Sequence, residues 1–424
     1  MPAASRQQRS GQQLQIPDFI QNAGPELPFL LIFLALLGFR HNVTPAVSLL
    51  IRAPVEKVFA LIDLRDGEQQ GWHRTQVTAR LIDPAQRIFR MTYVTTLAAG
   101  AQQTSQADFR VAERREPGLL ILERTGLGGK LHNNELLKIV AALVPEKDAT
   151  RLNLTYHWGS RPLLAQLLAR ADLWGAALRL KGLAETGKPG YRSDWLISVA
   201  VAAGTGIVTL LGFSLWFGWL FAAVLVAALL VHEFGHLLAF RLIGQPWGRL
   251  VFLPFLGAMA VPRLAYQSQG QSVFAALMGP GFSILMPLAA VAAIFAGWGV
   301  ADLLIPIGIV FVALNLFNLL PVEPLDGGIA LRSVLARLLG ERAHYGLIVM
   351  GAIIALAGWF GELTLLLIFG GISIAANLKP RRIDHGLKPL TFLQVAITAF
   401  DYMALVAAYA AILRFLLARA ELKF

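Results

Sequence analysis

The chain contains no cysteine. That removes a disulfide framework and every thiolate metal site, so any metal has to be held by His, Asp or Glu. Charge is scarce as well: Asp, Glu, Lys and Arg make up 15% of the 424 residues, against 56% hydrophobic. Soluble globular chains rarely carry so much apolar composition unless part of it crosses a membrane. The formal charge of +11 would suit nucleic acid, but no interleaved basic and aromatic recognition motif accompanies it. Nucleic acid is therefore set aside as a partner, and the charge is read as basic loops beside anionic membrane lipid. No pattern of a cleavable signal peptide opens the chain, whose first fifteen residues, MPAASRQQRSGQQLQ, are polar and read as disordered.

The apolar residues are unevenly placed. Up to about residue 194 they alternate with polar ones, and beyond it they form long uninterrupted stretches. This divides the chain into a polar start with a short apolar run (1–46), an α+β domain (47–186), a linker (187–194), a membrane core (195–340) and further membrane helices (341–424). The early run at 27–39, LPFLLIFLALLGF, is shorter than the roughly 20 residues that span hydrocarbon and receives no assignment. Strands are expected at 47–52, 75–82, 87–97, 104–112, 119–125, 135–144 and 151–159. The last two flank the polar turn PEKDA as a hairpin. Helices are expected at 54–62, opening on Pro54, and at 162–186. An antiparallel sheet with one short early helix and one long final helix should curl around the latter.

In LIRAPVEKVFALI, Trp72 in GWHR and the terminal LRLKGLAE, this segment resembles the START-like helix-grip superfamily, which includes polyketide cyclases and lipid-transfer domains. The resemblance covers about 47–186 and rests on generic motifs. It implies a hydrophobic small-molecule ligand held between sheet and helix, against the alternative of a cavity filled by the domain's own side chains.

Spans are expected at 195–213, 218–243, 273–297, 303–320, 345–359, 362–377 and 392–413, with the fifth and sixth short enough to form a bent pair. The fold class is thus a multi-span α-helical membrane protein of six or seven transmembrane helices with a soluble N-terminal α+β domain. Arg179, Lys181, Lys188 and Arg192 precede the first span, and Arg241, Arg249 and Arg263 follow the second. Arg332, Arg337 and Arg342, then Lys379, Arg381, Arg382 and Lys388, fall on the same side. By the positive-inside rule that side, with the N-terminal domain, is cytoplasmic; the basic tail (Arg414, Arg419, Lys423) breaks the pattern.

Inside the second span lies His232-Glu233-Phe234-Gly235-His236. Four residues place two imidazoles on one helix face, where they can bind one zinc ion while Glu233 reaches a water on it. The bland reading is a hydrogen-bonded pair between packed helices, but ionisable groups at membrane depth are expensive and mark function. Two His leave zinc one protein ligand short. The segment Asn318-Leu-Leu-Pro321-Val-Glu323-Pro324-Leu-Asp326-Gly327-Gly328 should be unwound by its prolines, which is tolerated in lipid only where a cavity is lined. Asp326 is the expected third ligand, with Glu323 as its rival and a plain turn at Asp-Gly as the alternative.

The pairing of HEFGH with Asn318-x-x-Pro321-x-x-x-x-Asp326-Gly327 resembles the site-2 protease family of intramembrane metalloproteases, over about 195–339. Phe252-Leu-Pro-Phe-Leu-Gly257-Ala-Met-Ala260 and Met278-Gly279-Pro280 extend the likeness. The resemblance implies zinc on His232, His236 and Asp326, and Glu233 as catalytic base. It also implies a substrate-presenting hairpin at 250–262 that includes Gly257, and substrate contact at Asn318. Ser283 stands where many members have Asn, Glu323 adds a carboxylate where the motif is usually apolar, and no PDZ-like module is visible.

The expected activity is hydrolysis of transmembrane-helix substrates in a bacterial inner membrane, regulated from the cytoplasmic side by the START-like domain. His236 would lie ~10 Å from the basic helix end at 1.5 Å per residue, open to cytoplasmic water. Two other classes compete. A non-proteolytic lipid-sensing receptor with a structural zinc site would not need Glu233. A transporter would spread ionisable residues through several spans, whereas here they occupy two segments.

Overall fold

The computed structural model describes residues 39–73, 76–96, 102–125, 136–188, 191–253, 257–298, 301–323, 325–361, 363–378 and 387–421. The apolar run at 27–39, apart from Phe39, and the basic stretch 379–382 lie outside them.

Eight antiparallel strands form the N-terminal sheet: β1 (Arg40–Val43), β2 (Ala46–Ile51), β3 (Gln76–Asp83), β4 (Ile88–Thr96), β5 (Gln102–Arg115), β6 (Leu119–Arg124), β7 (Leu136–Glu146) and β8 (Ala149–Pro162). Their order is β1-β8-β7-β6-β5-β4-β3, with β2 also on β8. The alternating sequence explains the single buried face: Ile139, Ala141 and Leu143 on β7 sit beside Leu152 and Leu154 on β8, all buried. Helix α1 (Val55–Ile62) starts on Pro54, and α2 (Leu163–Thr186) lays Leu173, Ala176, Ala177, Leu180 and Ala184 into the same core. The β7–β8 turn closes at Glu146 opposite Ala149. Strand β1 is the one the sequence reading missed. It is four residues long, alternates only weakly, and is ordered by pairing with the distant end of β8.

The rest is helical: α3 (Tyr191–Phe217), α4 (Trp219–Leu242), α5 (Gln269–Ser283), α6 (Leu285–Phe295), α7 (Ala301–Asn318), α8 (Asp326–Leu339), α9 (Ala343–Phe360), α10 (Thr364–Asn377) and α11 (Phe392–Glu421). A two-stranded hairpin, β9 (Arg249–Leu253) and β10 (Gly257–Val261), follows α4. Five stretches are long and apolar enough to cross a membrane: 196–217, 219–242, 269–295, 326–360 and 392–420. Helices α7 and α10 fall in a shorter apolar class. The five stretches are counted among the described residues, by length and composition, beside the six or seven spans expected from the sequence. α9 and α10, the fifth and sixth expected spans, pack closely on one another: a Cβ on Gly358 would meet Leu367 N at 2.4 Å, and one on Gly370 would meet Ala355 N at 2.5 Å.

Candidate metal centre

His232 and His236 lie on the buried stripe of α4, with Ala228, Leu229, Glu233, Gly235, Ala239 and Phe240. That stripe faces α5 at unusually short range. A Cβ on Gly235 would stand 2.3 Å from Met278 O, and one on Gly279 would stand 2.4 Å from His236 Cε1 and 3.0 Å from His232 Cε1. Both positions have to be glycine for the helices to approach and for the imidazoles to rest on the α5 backbone.

Each imidazole is fixed through Nδ1. His236 Nδ1 is 2.7 Å from Ala275 O, and His232 Nδ1 is 2.8 Å from Asn315 Oδ1. The Asn315 amide is oriented by its other end, whose Nδ2 donates to Ser283 Oγ at 2.9 Å and to Phe311 O at 2.7 Å. Oxygen acceptors at both Nδ1 atoms require N–H there, which leaves a lone pair on each Nε2.

Those two Nε2 atoms lie 3.1 Å apart. Asp326 Oδ2 is 3.2 Å from His232 Nε2 and 3.5 Å from His236 Nε2, and it has no hydrogen-bond partner although buried. Three acceptors crowded together without a donor are mutually repulsive unless a cation lies between them. Tetrahedral zinc with ligands at 2.0–2.2 Å has ligand atoms about 3.3–3.5 Å apart, so the donor set fits that ion. Among the described residues this is the group of His, Asp and Glu that could hold a metal.

Asp326 arrives there as the first residue of α8, behind Leu325 in extended conformation, not as a turn residue. The two glycines after it explain why. A Cβ on Gly327 would meet Leu319 O at 2.1 Å, and one on Gly328 would meet Val322 C at 2.3 Å. The unwound chain after α7 thus folds directly over the start of α8. Glu323, the rival ligand, is held elsewhere: its Oε1 accepts from Arg332 Nη1 at 2.8 Å.

Glu233, also buried, accepts from the backbone N–H of Ala260 through Oε2 at 2.5 Å. β10 pairs with β9 from Gly257 opposite Leu253 to Val261 opposite Arg249. The Ala260 N–H therefore projects from the strand's other edge, toward α4. Gly257 opens β10 at a φ of 114°, a conformation that a side chain would strain. Asn318 is half-buried at the end of α7, with its amide folded onto Leu314 O at 3.1 Å. The structure thus gathers His232, Glu233, His236 and Asp326, puts Gly257 on the adjoining strand, and leaves Asn318 bonded within its own helix. Sequence reasoning missed Asn315 and the support from Ser283. An Asn amid apolar residues was the available signal, since a polar amide in a span needs a partner.

No family model matches the chain, and no curated protein matches it. Among solved structures, a site-2 protease from Methanocaldococcus jannaschii is similar at 19% identity and a TM-score of 0.30, over 44% of this chain and 90% of that one. The Aha1 dimer from Colwellia psychrerythraea is similar at 16% identity and a TM-score of 0.27, over 34% of this chain and 98% of that one. The di-domain ARO/CYC StfQ from the steffimycin biosynthetic pathway gives 11% identity and a TM-score of 0.25, over 34% and 51%. Likenesses of this size assign no family, and the functional reading rests on the site itself.

Proposed function

We propose that the chain is an intramembrane zinc metalloprotease that cleaves transmembrane-helix substrates. The observation that carries this reading is the convergence of His232, His236 and Asp326 beside Glu233, between helices apolar enough to cross a membrane. A structural site would need the three ligands alone. A buried carboxylate next in sequence to a ligand, with one oxygen held by a backbone amide, is the arrangement a hydrolase needs.

In this reading the three residues hold zinc, which supplies Lewis acidity toward a carbonyl and toward water. Asn315 and Ala275 O keep both imidazoles in the tautomer that offers Nε2. Ala260 N–H occupies Glu233 Oε2, so Oε1 accepts the proton of the attacking water and returns it to the leaving amine. A helical substrate has to unwind before its carbonyl can be attacked, and the β9–β10 hairpin is the extended element beside Glu233 where the unwound segment is received. The site opens to the cytoplasmic face, where the N-terminal domain and the basic loops also lie, in a bacterial inner membrane.

The test is mass mapping of new termini in single-span membrane proteins co-reconstituted with the purified protein. Wild type should generate termini inside apolar segments, and Glu233→Gln should generate none. Equal cleavage by the two would overturn the assignment of Glu233 and with it the proposal.

A further inference from the structure

Arg249 is the first residue of β9 and is only 6% exposed, yet it carries a full charge. Its Nη1 lies 2.7 Å from Asp172 Oδ1 on α2, the long helix of the N-terminal domain, and its Nε is buried with no hydrogen-bond partner. The Asp172 side chain is 58% exposed, so solvent screens the pair in part, but a guanidinium this buried still favours the position in which a carboxylate faces it. Asp172 on α2 thus helps to hold Arg249 where it is.

That position bears on the site. Arg249 is paired across the hairpin with Val261, and the next residue, Ala260, is the one whose N–H holds Glu233. The hairpin is also packed on α4, through Leu229 and Phe240, and supported by α3, the helix that follows the domain. Thr205 Oγ1 accepts from Phe252 N at 3.1 Å, the Phe252 ring lies against Gly206, and Arg263 reaches Ser198 Oγ at 2.8 Å. At the other end of the chain of contacts, Leu180 on α2 forms part of the wall of a cavity of about 20 Å³ inside the domain, also lined by Trp72, His73 and Met91. That volume holds about one water. Anything larger that enters has to displace a wall, and α2 is the wall that bears Asp172.

We infer that Asp172 and Arg249 are positioning residues: their ion pair ties the N-terminal domain to the β9–β10 hairpin and sets the register of β10 against Glu233. The inference rests on the protease reading only for what that register regulates. A shift of α2 releases Arg249, loosens the hairpin and withdraws the Ala260 N–H from the base.

Hydrogen exchange of the full chain in lipid nanodiscs tests this without a substrate. Asp172→Asn is expected to speed exchange of the β9 and β10 amides about tenfold, while β7 and β8 exchange as in wild type. Asp172→Glu should retain protection, and Asp172→Arg combined with Arg249→Asp should recover most of it. A merely structural pair would instead raise exchange across the whole domain. Unchanged exchange in β9 and β10 of Asp172→Asn, or loss of β7 and β8 protection in step with them, would overturn the tie. Cleavage by the same variants separates the two ideas. If wild type produces no cleavage while the exchange pattern holds, the protease reading fails and the tie stands; if cleavage occurs and exchange is indifferent, the reverse follows.

Discussion

Asn315 does for His232 what a backbone carbonyl does for His236, but with a side chain that mutation can remove. Replacing a group that orients a metal ligand typically costs 10–100-fold in affinity. Asn315→Leu is therefore expected to weaken zinc binding by roughly that factor while the protein stays folded, as measured by competition with a chromophoric chelator. Gly279→Ala acts on the same rings from the opposite side. A methyl 2.4 Å from His236 Cε1 forces the imidazole off its position, and the expected outcome is protein purified with well under one zinc per chain. Asn315 stood out in the sequence as a polar amide among apolar residues, but its role was not legible, because its partners His232 and Ser283 lie far away in the chain and only the packing of three helices brings them together. The pair His232 and His236 was readable at once, since four residues on a helix settle their shared face.

A residue of the N-terminal domain gives a pH prediction of its own. His73 packs on Trp72 and meets the edge of Tyr93, and its Nε2 is buried without a partner, the residue as a whole being half-buried. Burial first, and the nearby charge of Arg179 second, push its pKa down from 6.5 to about 3. Between those values the unfolded chain binds a proton that the folded domain refuses, so stability must fall as pH drops below 6.5 and the loss is complete near 3. The slope can reach about 1.4 kcal/mol per pH unit. Acid unfolding of the full chain, followed by tryptophan fluorescence, should flatten over this window in His73→Phe.

At the scale of elements, the proline-broken segment shows what a local pattern conveys and what it omits. The prolines pointed to an unwound stretch, and residues 319–323 are not helical. Whether Asp326 or Glu323 turned inward depended on contacts the pattern does not contain: Arg332 draws Glu323 away, and Gly327-Gly328 let the loop close over the start of α8. Gly328→Ala would put a Cβ 2.3 Å from the backbone carbon of Val322, where nothing can yield cheaply. Loss of both zinc and thermal stability is expected, read by metal analysis and by a melting curve. The sheet strands were legible because half-buried strands alternate, and β1 was not because its four residues carry too little pattern. The shortness of α10 was legible too, but its close packing on α9 through Gly358 and Gly370 was not.

For the whole molecule, the composition announced two solvents and the architecture respects them. A sheet wrapped on α2 precedes a set of apolar helices, which among the described residues form five stretches long enough to cross a membrane. The ionisable residues that belong to neither solvent gather where α4, α5, α7 and α8 meet. Everything functional in this account depends on that cluster being a metal centre, because Glu233 and β10 have no chemistry to serve without one. Loss of the general base alone should leave the metal in place, so Glu233→Gln is expected to bind zinc normally while hydrolysis drops by roughly 10²–10⁴-fold or more. The most direct measurement is zinc-edge X-ray absorption on Glu233→Gln purified in nanodiscs, compared with the same protein carrying Asp326→Asn. One zinc per chain is expected, with two imidazoles and light-atom ligands at about 2.0–2.2 Å, and a depleted or rearranged shell once Asp326 is changed. A chain that holds no zinc, or whose zinc shell is indifferent to Asp326→Asn, would contradict it.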